Sequence, residues 1–352
     1  MANNRIFYAS HAVSIANNGT NLRTVQGAQS VSMSTAYNLD SVFQLGRLAI
    51  YDNFPANPEV TVTVTKALDG WPLIFSLATQ PIAAGQTVTS SIIGGANAIT
   101  SLIIGVGSDT APVVDDVNPD YTSISLSGLY VESLSYSFGS EGSFTEEVTF
   151  KGNNKLLGGR LDGPVETAPH GGNVLRRQNI NLTDSRFPAE VDRSGISNIT
   201  ISTSFNREDI FTMGSYAPRA RTVSFPIEIT TTFDMHAREI SQSVGTTFET
   251  ANVTAQCVGP SGFNKQWIRV VLCNASGFTE YTFDLGSGNM LQNHGYSGGD
   301  TSGGNVTETF EYLTYNELTI EDKVPSSEPE NAGRDHASNF KILTPGTTGV
   351  QP

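Results

Sequence analysis

The chain has 352 residues and a formal net charge of −14, with 34 acidic against 20 basic residues. Nucleic-acid binders draw affinity from basic groups that neutralise phosphates, so this balance argues against a protein that grips DNA or RNA. Its two cysteines, Cys257 and Cys273, give no disulfide framework and no zinc-ligand spacing, and leave a thiol pair or a single disulfide open.

The length leaves room for about two domains of ordinary size. Hydrophobic residues make up 38% and charged residues 15%. The remainder is rich in Gly, Ser, Thr and Asn, a profile that suits many short strands joined by turns. Residues 6–15, "IFYASHAVSI", lack the apolar core of a secretory signal. The most apolar stretches, such as "WPLIFSLATQPIAA", are too short and too interrupted for a membrane span.

In chain order, the first clear element is a strand over Val31–Tyr37. Val31, Met33, Thr35 and Tyr37 share one face, and Ser32, Ser34 and Ala36 the other. That alternation predicts a half-buried strand with a small, polar outer face. A turn at Asn38 and a second strand entry follow, ending at Gly46. Val60, Val62 and Val64 alternate in the next strand. Asp69 then precedes a segment with helical potential, where a carboxylate caps free N–H groups and Pro72 is tolerated. Asp115, Asp116 and Asp120 read as a solvated loop rather than a cation site. "LSYSFGSEGSFTEEVTF" reads as a hairpin with a Gly-rich turn.

The same order then recurs. Aligning Val31–Gly46 with Ile199–Gly214 gives five identities: Ser34/Ser202, Thr35/Thr203, Asn38/Asn206, Phe43/Phe211 and Gly46/Gly214. Further on, Val60, Val62 and Val64 align with Phe225, Ile227 and Ile229, and Asp69 with Asp234 as a second helix cap. Tyr136-Ser137 matches Tyr296-Ser297, Thr145-Glu146 matches Thr307-Glu308, and Val148 and Phe150 match Phe310 and Tyr312. The expectation is a mainly β protein of two tandem β-sandwich or barrel domains, residues 1–160 and 176–322, each with a short flanking α-helix. A Gly/Pro-rich linker at 161–175 joins them, and a polar tail or arm covers 323–352.

Motifs for chemistry are missing. His11, His170, His236, His294 and His336 are scattered. No P-loop, nucleophile elbow or dinucleotide fingerprint occurs. "GGDTSGGN" reads as a hairpin turn before it reads as a calcium repeat. The sequence therefore predicts no catalytic, cofactor-binding or metal-ligating residue and no enzyme. What remains is a structural or interaction protein.

"RIFYASHAVSI", "FQLGRLAIYDN", "KALDGWPLIF" and "GLYVESLSYSFGSEGSFTEEVTFKGNNK" together resemble virion structural proteins of tailed bacteriophages, cyanophage-like ones among them, and more specifically tail tube proteins. The resemblance covers most of residues 5–155, and the second half joins it through the internal repeat. It implies tube domains of β-sandwich or barrel type, six to a ring, whose inner strands close into one continuous β-barrel around an acidic lumen for DNA. Rings would stack through long loops and terminal arms. Partners would be other tail proteins: tape measure, terminator, baseplate and, in a contractile tail, sheath. The place would be the virion, assembled in the host cytoplasm. With two such domains on one chain, three copies would supply the six positions, a homotrimer with pseudo-sixfold symmetry. Ser32, Ser34, Thr200 and Ser202 are then candidates for the lumen wall, the alternative being that they face solvent outside the tube. Competing readings are another virion part (tail completion, baseplate ring or decoration protein) or a carbohydrate-binding β-sandwich module. Only Trp71 and Trp267 would serve the latter.

Overall fold

The computed structural model describes residues 11–17, 20–25, 27–46, 48, 50–69, 73, 88–91, 99–106, 122–159, 174–236, 265–273, 279–298 and 305–322. These hold the strands β1 (His11–Asn17), β2 (Thr20–Thr24), β3 (Ala28–Ala36), β4 (Leu39–Phe43), β5 (Ile50–Pro55), β6 (Glu59–Ala67), β7 (Val88–Ser91), β8 (Thr100–Val106), β9 (Thr122–Gly139) and β10 (Thr145–Gly152). They continue with β11 (Asn154–Gly159), β12 (Ile196–Ser204), β13 (Arg207–Ile210), β14 (Ala220–Val223), β15 (Glu228–His236), β16 (Arg269–Cys273), β17 (Thr279–Asp284), β18 (Met290–Ser297), β19 (Thr307–Tyr315) and β20 (Thr319–Asp322). The protein is mainly β, as its β-branched, turn-rich composition requires.

The principal sheet runs in the order β18-β19-β15-β12-β9-β10-β6-β3, antiparallel throughout. Alternation in the sequence explains its two faces. On β6, Val60, Val62 and Val64 are buried while Thr61, Thr63 and Thr65 are only partly covered. The same holds for Ile199 and Ile201 against Thr200 and Ser202 on β12. β9 is long enough to serve two layers. Its second part pairs β10 and β12, and its first part pairs β8 and β11, with β1 and β2 beyond β8. A further sheet runs in the order β16-β17-β20-β7, so that β7 of the first half pairs β20 of the second. Phe283 of β17 packs edge-on against Tyr136 (4.9 Å) and Phe138 (5.2 Å) of β9, so one hydrophobic core runs through both halves.

Two blocks of the principal sheet have the same strand order: β9-β10-β6-β3, then β18-β19-β15-β12. The two meet where β12 pairs β9, from Asn198 opposite Gly139 to Ser204 opposite Ser133. In each half a hairpin follows β3 or its counterpart β12 in the chain, β4–β5 and then β13–β14. Its base is closed by the Ala56 N–H donating to the Asn38 carbonyl, and by the Ser224 N–H donating to the Asn206 carbonyl, both at 2.7 Å. Gly46 and Gly214 both hold φ +85°, a left-handed turn that favours glycine.

Three expectations need correction. The second-half counterparts of Val60, Val62 and Val64 are Ile229, Thr231 and Phe233, four residues beyond the aligned Phe225, Ile227 and Ile229. Both sets keep the same parity, so period-two alternation alone accepts either. Asp234 caps no helix. It sits inside β15, where Asn198 Nδ2 (3.2 Å) and Thr309 Oγ1 (2.9 Å) donate to its carboxylate. Leu175, placed in the linker, is fully buried and bridges Leu68 and Phe144 by backbone hydrogen bonds of 2.9 Å. The helix expected after Asp69 falls outside the described residues except for Leu73, which is helical. Residues 161–173 of the linker and the whole tail, 323–352, lie outside them too.

Candidate functional site

The face of the principal sheet that points away from the core is built of small polar side chains. Cross-strand register aligns them in rows. One row reads Thr230, Ser202, Ser135, Glu147, Thr65, Ser30. The next reads Glu228, Ser204, Ser133, Thr149, Thr63, Ser32. Ser34 stands opposite Thr61, and Thr200 stands between Thr232 and Ser137. Ser32, Ser34, Thr200 and Ser202 thus share one continuous face, across both halves. Thr35 and Thr203 turn to the core side; Thr203 is buried and donates to the Glu228 carbonyl at 2.8 Å.

Hydroxyls on this face satisfy one another or a carboxylate. Thr63 and Thr149 share a hydrogen bond at 3.1 Å, and Thr65 donates to Glu147 at 3.2 Å. The charge balance is acidic. Glu147, Glu228, Asp234 and Glu311 stand on the face, while Lys151, its one Lys or Arg among the described strand residues, is held by Glu59 at 3.0 Å.

The buried carboxylates on the core side do structural work. Glu146 accepts from Tyr136 Oη (2.7 Å) and from the Leu73 N–H (2.6 Å). Burial, and then the nearby Glu146 charge, push the Tyr136 phenol well above its ordinary range, so it stays a donor. The same position in the second half is Glu308, which meets His294 at 2.8 Å, with the imidazole stacked on Phe310. Lys66, also buried, pairs with Asp69 at 2.7 Å.

Where the two hairpins approach, Tyr216 Oη donates to the carbonyls of Pro55 (2.8 Å) and Ala56. Asp209 accepts a two-pronged bond from Arg221, which holds its carboxyl below the usual range. Arg207 lies over the Tyr130 and Phe205 rings, and burial brings its guanidinium down to about 10. The outer parts of the hairpins bury little. Leu45, Leu48 and Met213 are fully exposed, with Phe43 and Phe211 largely so. A lone two-stranded hairpin is marginal in water, and side chains this apolar and this exposed make the hairpins the candidate interaction surface.

Two strand edges are open: among the described residues, β3 pairs only β6, and β18 pairs only β19. Their side chains record this. Ile199 and Ile201 on β12 are fully buried, whereas Val31 and Met33 at the same places on β3 are half-buried. Tyr136 is 0% exposed, and its counterpart Tyr296 is 53% exposed.

Among the described residues, no group of His, Cys, Asp and Glu is arranged to hold a metal ion, and no helix is long and apolar enough to cross a membrane. Trp267 is partly exposed, beneath Arg186 and donating to Asp284 at 3.1 Å; Trp71 lies outside the described residues. Cys273 ends β16, and Cys257 lies outside the described residues. The sequence missed the apolar hairpins as a site, although the aligned pairs Phe43/Phe211 and Gly46/Gly214 fall on both. Neither a scan of protein-family models nor a search of curated proteins finds a match to this chain.

Proposed function

We propose that the chain is a tail tube subunit of a tailed phage, with two tube domains from an internal duplication, and that three copies close into a pseudo-sixfold ring. One observation carries the reading. The two like-ordered blocks of the principal sheet are already joined edge to edge by β12 and β9, and the edges left open, β3 and β18, are the same two edges one block further out. A contact between unlike edges is heterologous, and such a contact either closes a ring or runs on as a filament. Closure also removes the open edges that would otherwise aggregate.

Three copies of the eight-strand path give a barrel of 24 strands. With strands about 4.8 Å apart and tilted by about 40°, such a barrel closes at a backbone diameter of about 48 Å. That is beyond the strand counts at which smaller barrels already hold an open aqueous channel. The Ser/Thr face with its carboxylates would line the channel. Duplex DNA carries a phosphate charge about every 1.7 Å along its axis, and this wall offers it short neutral groups and like charge. DNA would pass without being held. The apolar hairpins, projecting with little burial of their own, would stack one ring on the next and partner the other tail proteins. No step requires a catalytic group, a cofactor or a metal.

The test is negative-stain microscopy of the purified protein. Tubes of stacked rings are expected. Discrete single rings would favour a completion or baseplate part, and a protein monomeric at high concentration would sink the tube reading.

A further inference from the structure

The seam inside the chain contains enough detail to specify the seam between chains. Tyr136 on β9 stands opposite Glu146, and Tyr296 on β18 stands opposite Glu308, so the two tyrosines hold equivalent places. Ser34-Thr35 on β3 and Ser202-Thr203 on β12 hold equivalent places, each opposite the start of the following strand of the sheet. Within the chain, Ile201 faces Tyr136, Thr200 faces Ser137 and Ser202 faces Ser135.

We infer that β3 of one copy pairs antiparallel with β18 of a second copy in one register: Ser32 opposite Ser297, Met33 opposite Tyr296, Ser34 opposite Gly295 and Thr35 opposite His294. This rests on the tube reading, and adds to it which strands meet and at which residue. Two observations support it. Met33 is half-buried and Tyr296 is 53% exposed, although the residues at their places inside the chain are shut off from water. The pairing brings those two together as the counterpart of Ile201 and Tyr136. Ser32 and Ser34 face outward on β3 with no charge among them, and β18 presents Ser297 and Gly295 on the matching face, so no like charges meet across the seam. A slip by one residue would set Ser32 or Ser34, which face outward, opposite Tyr296, which faces the core side, against the pleat of the sheet.

Cysteine pairs read the register directly. Residues opposite each other on antiparallel strands have Cα atoms about 4.5–5.5 Å apart, within the span a disulfide bridges. The full-length double variant Ser32→Cys with Ser297→Cys is oxidised and run on a non-reducing gel. The expected result is chains linked into dimers and closed trimers, reversed by a thiol reductant, with neither single variant linking in this way. The shifted pair Ser30→Cys with Ser297→Cys should stay unlinked. Linkage of the shifted pair in preference would overturn the register. Tubes in the microscope with neither pair linked would overturn the β3–β18 seam while leaving the tube reading intact. Wild-type protein that never assembles would remove both. Tyr296→Ala, which changes an exposed side chain, gives a second readout: unchanged melting of the unassembled protein with weakened assembly is expected, and unchanged assembly would contradict the seam.

Discussion

Ile201 on β12 stands directly opposite Tyr136 on β9, and both side chains are shut away from water. Ile201→Ala should therefore destabilise the unassembled protein by about 2–5 kcal/mol, the cost of a cavity in a packed core. Met33→Ala, at the equivalent place on the open edge, should cost the unassembled protein much less but weaken assembly. Urea unfolding at low concentration, beside sedimentation velocity, separates the two. Equal losses in the unassembled protein would mean that the β3 edge is already covered.

Tyr136→Phe removes one of the donors that hold the buried Glu146 carboxylate, at a cost of about 1–3 kcal/mol. It should also change the alkaline limb. The folded-state pKa of Tyr136 is raised, so its contribution is present below the unfolded tyrosine value of about 10 and is lost as pH rises through the folded value. Wild-type stability should fall above about pH 10, and the Phe variant should lose one proton's share of that slope, about 1.4 kcal/mol per pH unit. Chemical denaturation from pH 8 to 11 checks this. Parallel slopes would contradict it.

Leu45→Glu with Leu48→Glu should leave melting of the unassembled protein unchanged, because both side chains are fully exposed. The same variant should yield rings that fail to stack, seen as discrete particles in negative stain. Normal tubes would mean that the first hairpin is not the stacking surface.

Ser135→Lys with Ser202→Lys places cations in the middle of the polar rows, directly opposite each other. Wild-type tubes should not retain duplex DNA at physiological salt. The variant tubes should retain it, with affinity that falls steeply as salt rises. A co-sedimentation assay reads both. Salt-sensitive retention by the wild type would contradict a wall built for passage.

Much of the sheet was legible because one of its faces is buried and the other is not. Val60-Val62-Val64 and Ile199-Ile201 show that difference at period two, and the Ser/Thr positions between them show the other face. The four-residue slip at β15 had the same origin. Ile227 is buried and continues the parity of Ile229, and Thr231 occupies a core position without announcing itself. Asp234 looked like a cap because carboxylates favour caps. Only the neighbouring strands, with Asn198 and Thr309, show what satisfies it. The join between β12 and β9 was illegible for a stronger reason: it pairs residues about 60 to 70 apart whose side chains on the polar face are all small. The exposed hairpins defied the expectation that apolar residues go inside, because a two-stranded hairpin offers them no second layer to pack against.

The central claim is that three chains, each supplying two blocks of one sheet, close the tube. Cryo-electron microscopy of end-on views, with the mass per ring, tests it most directly. The account predicts threefold symmetry with six similar lobes, three chains per ring and 24 strands around the channel. Six chains per ring, or a second half lying outside the barrel wall, would contradict it.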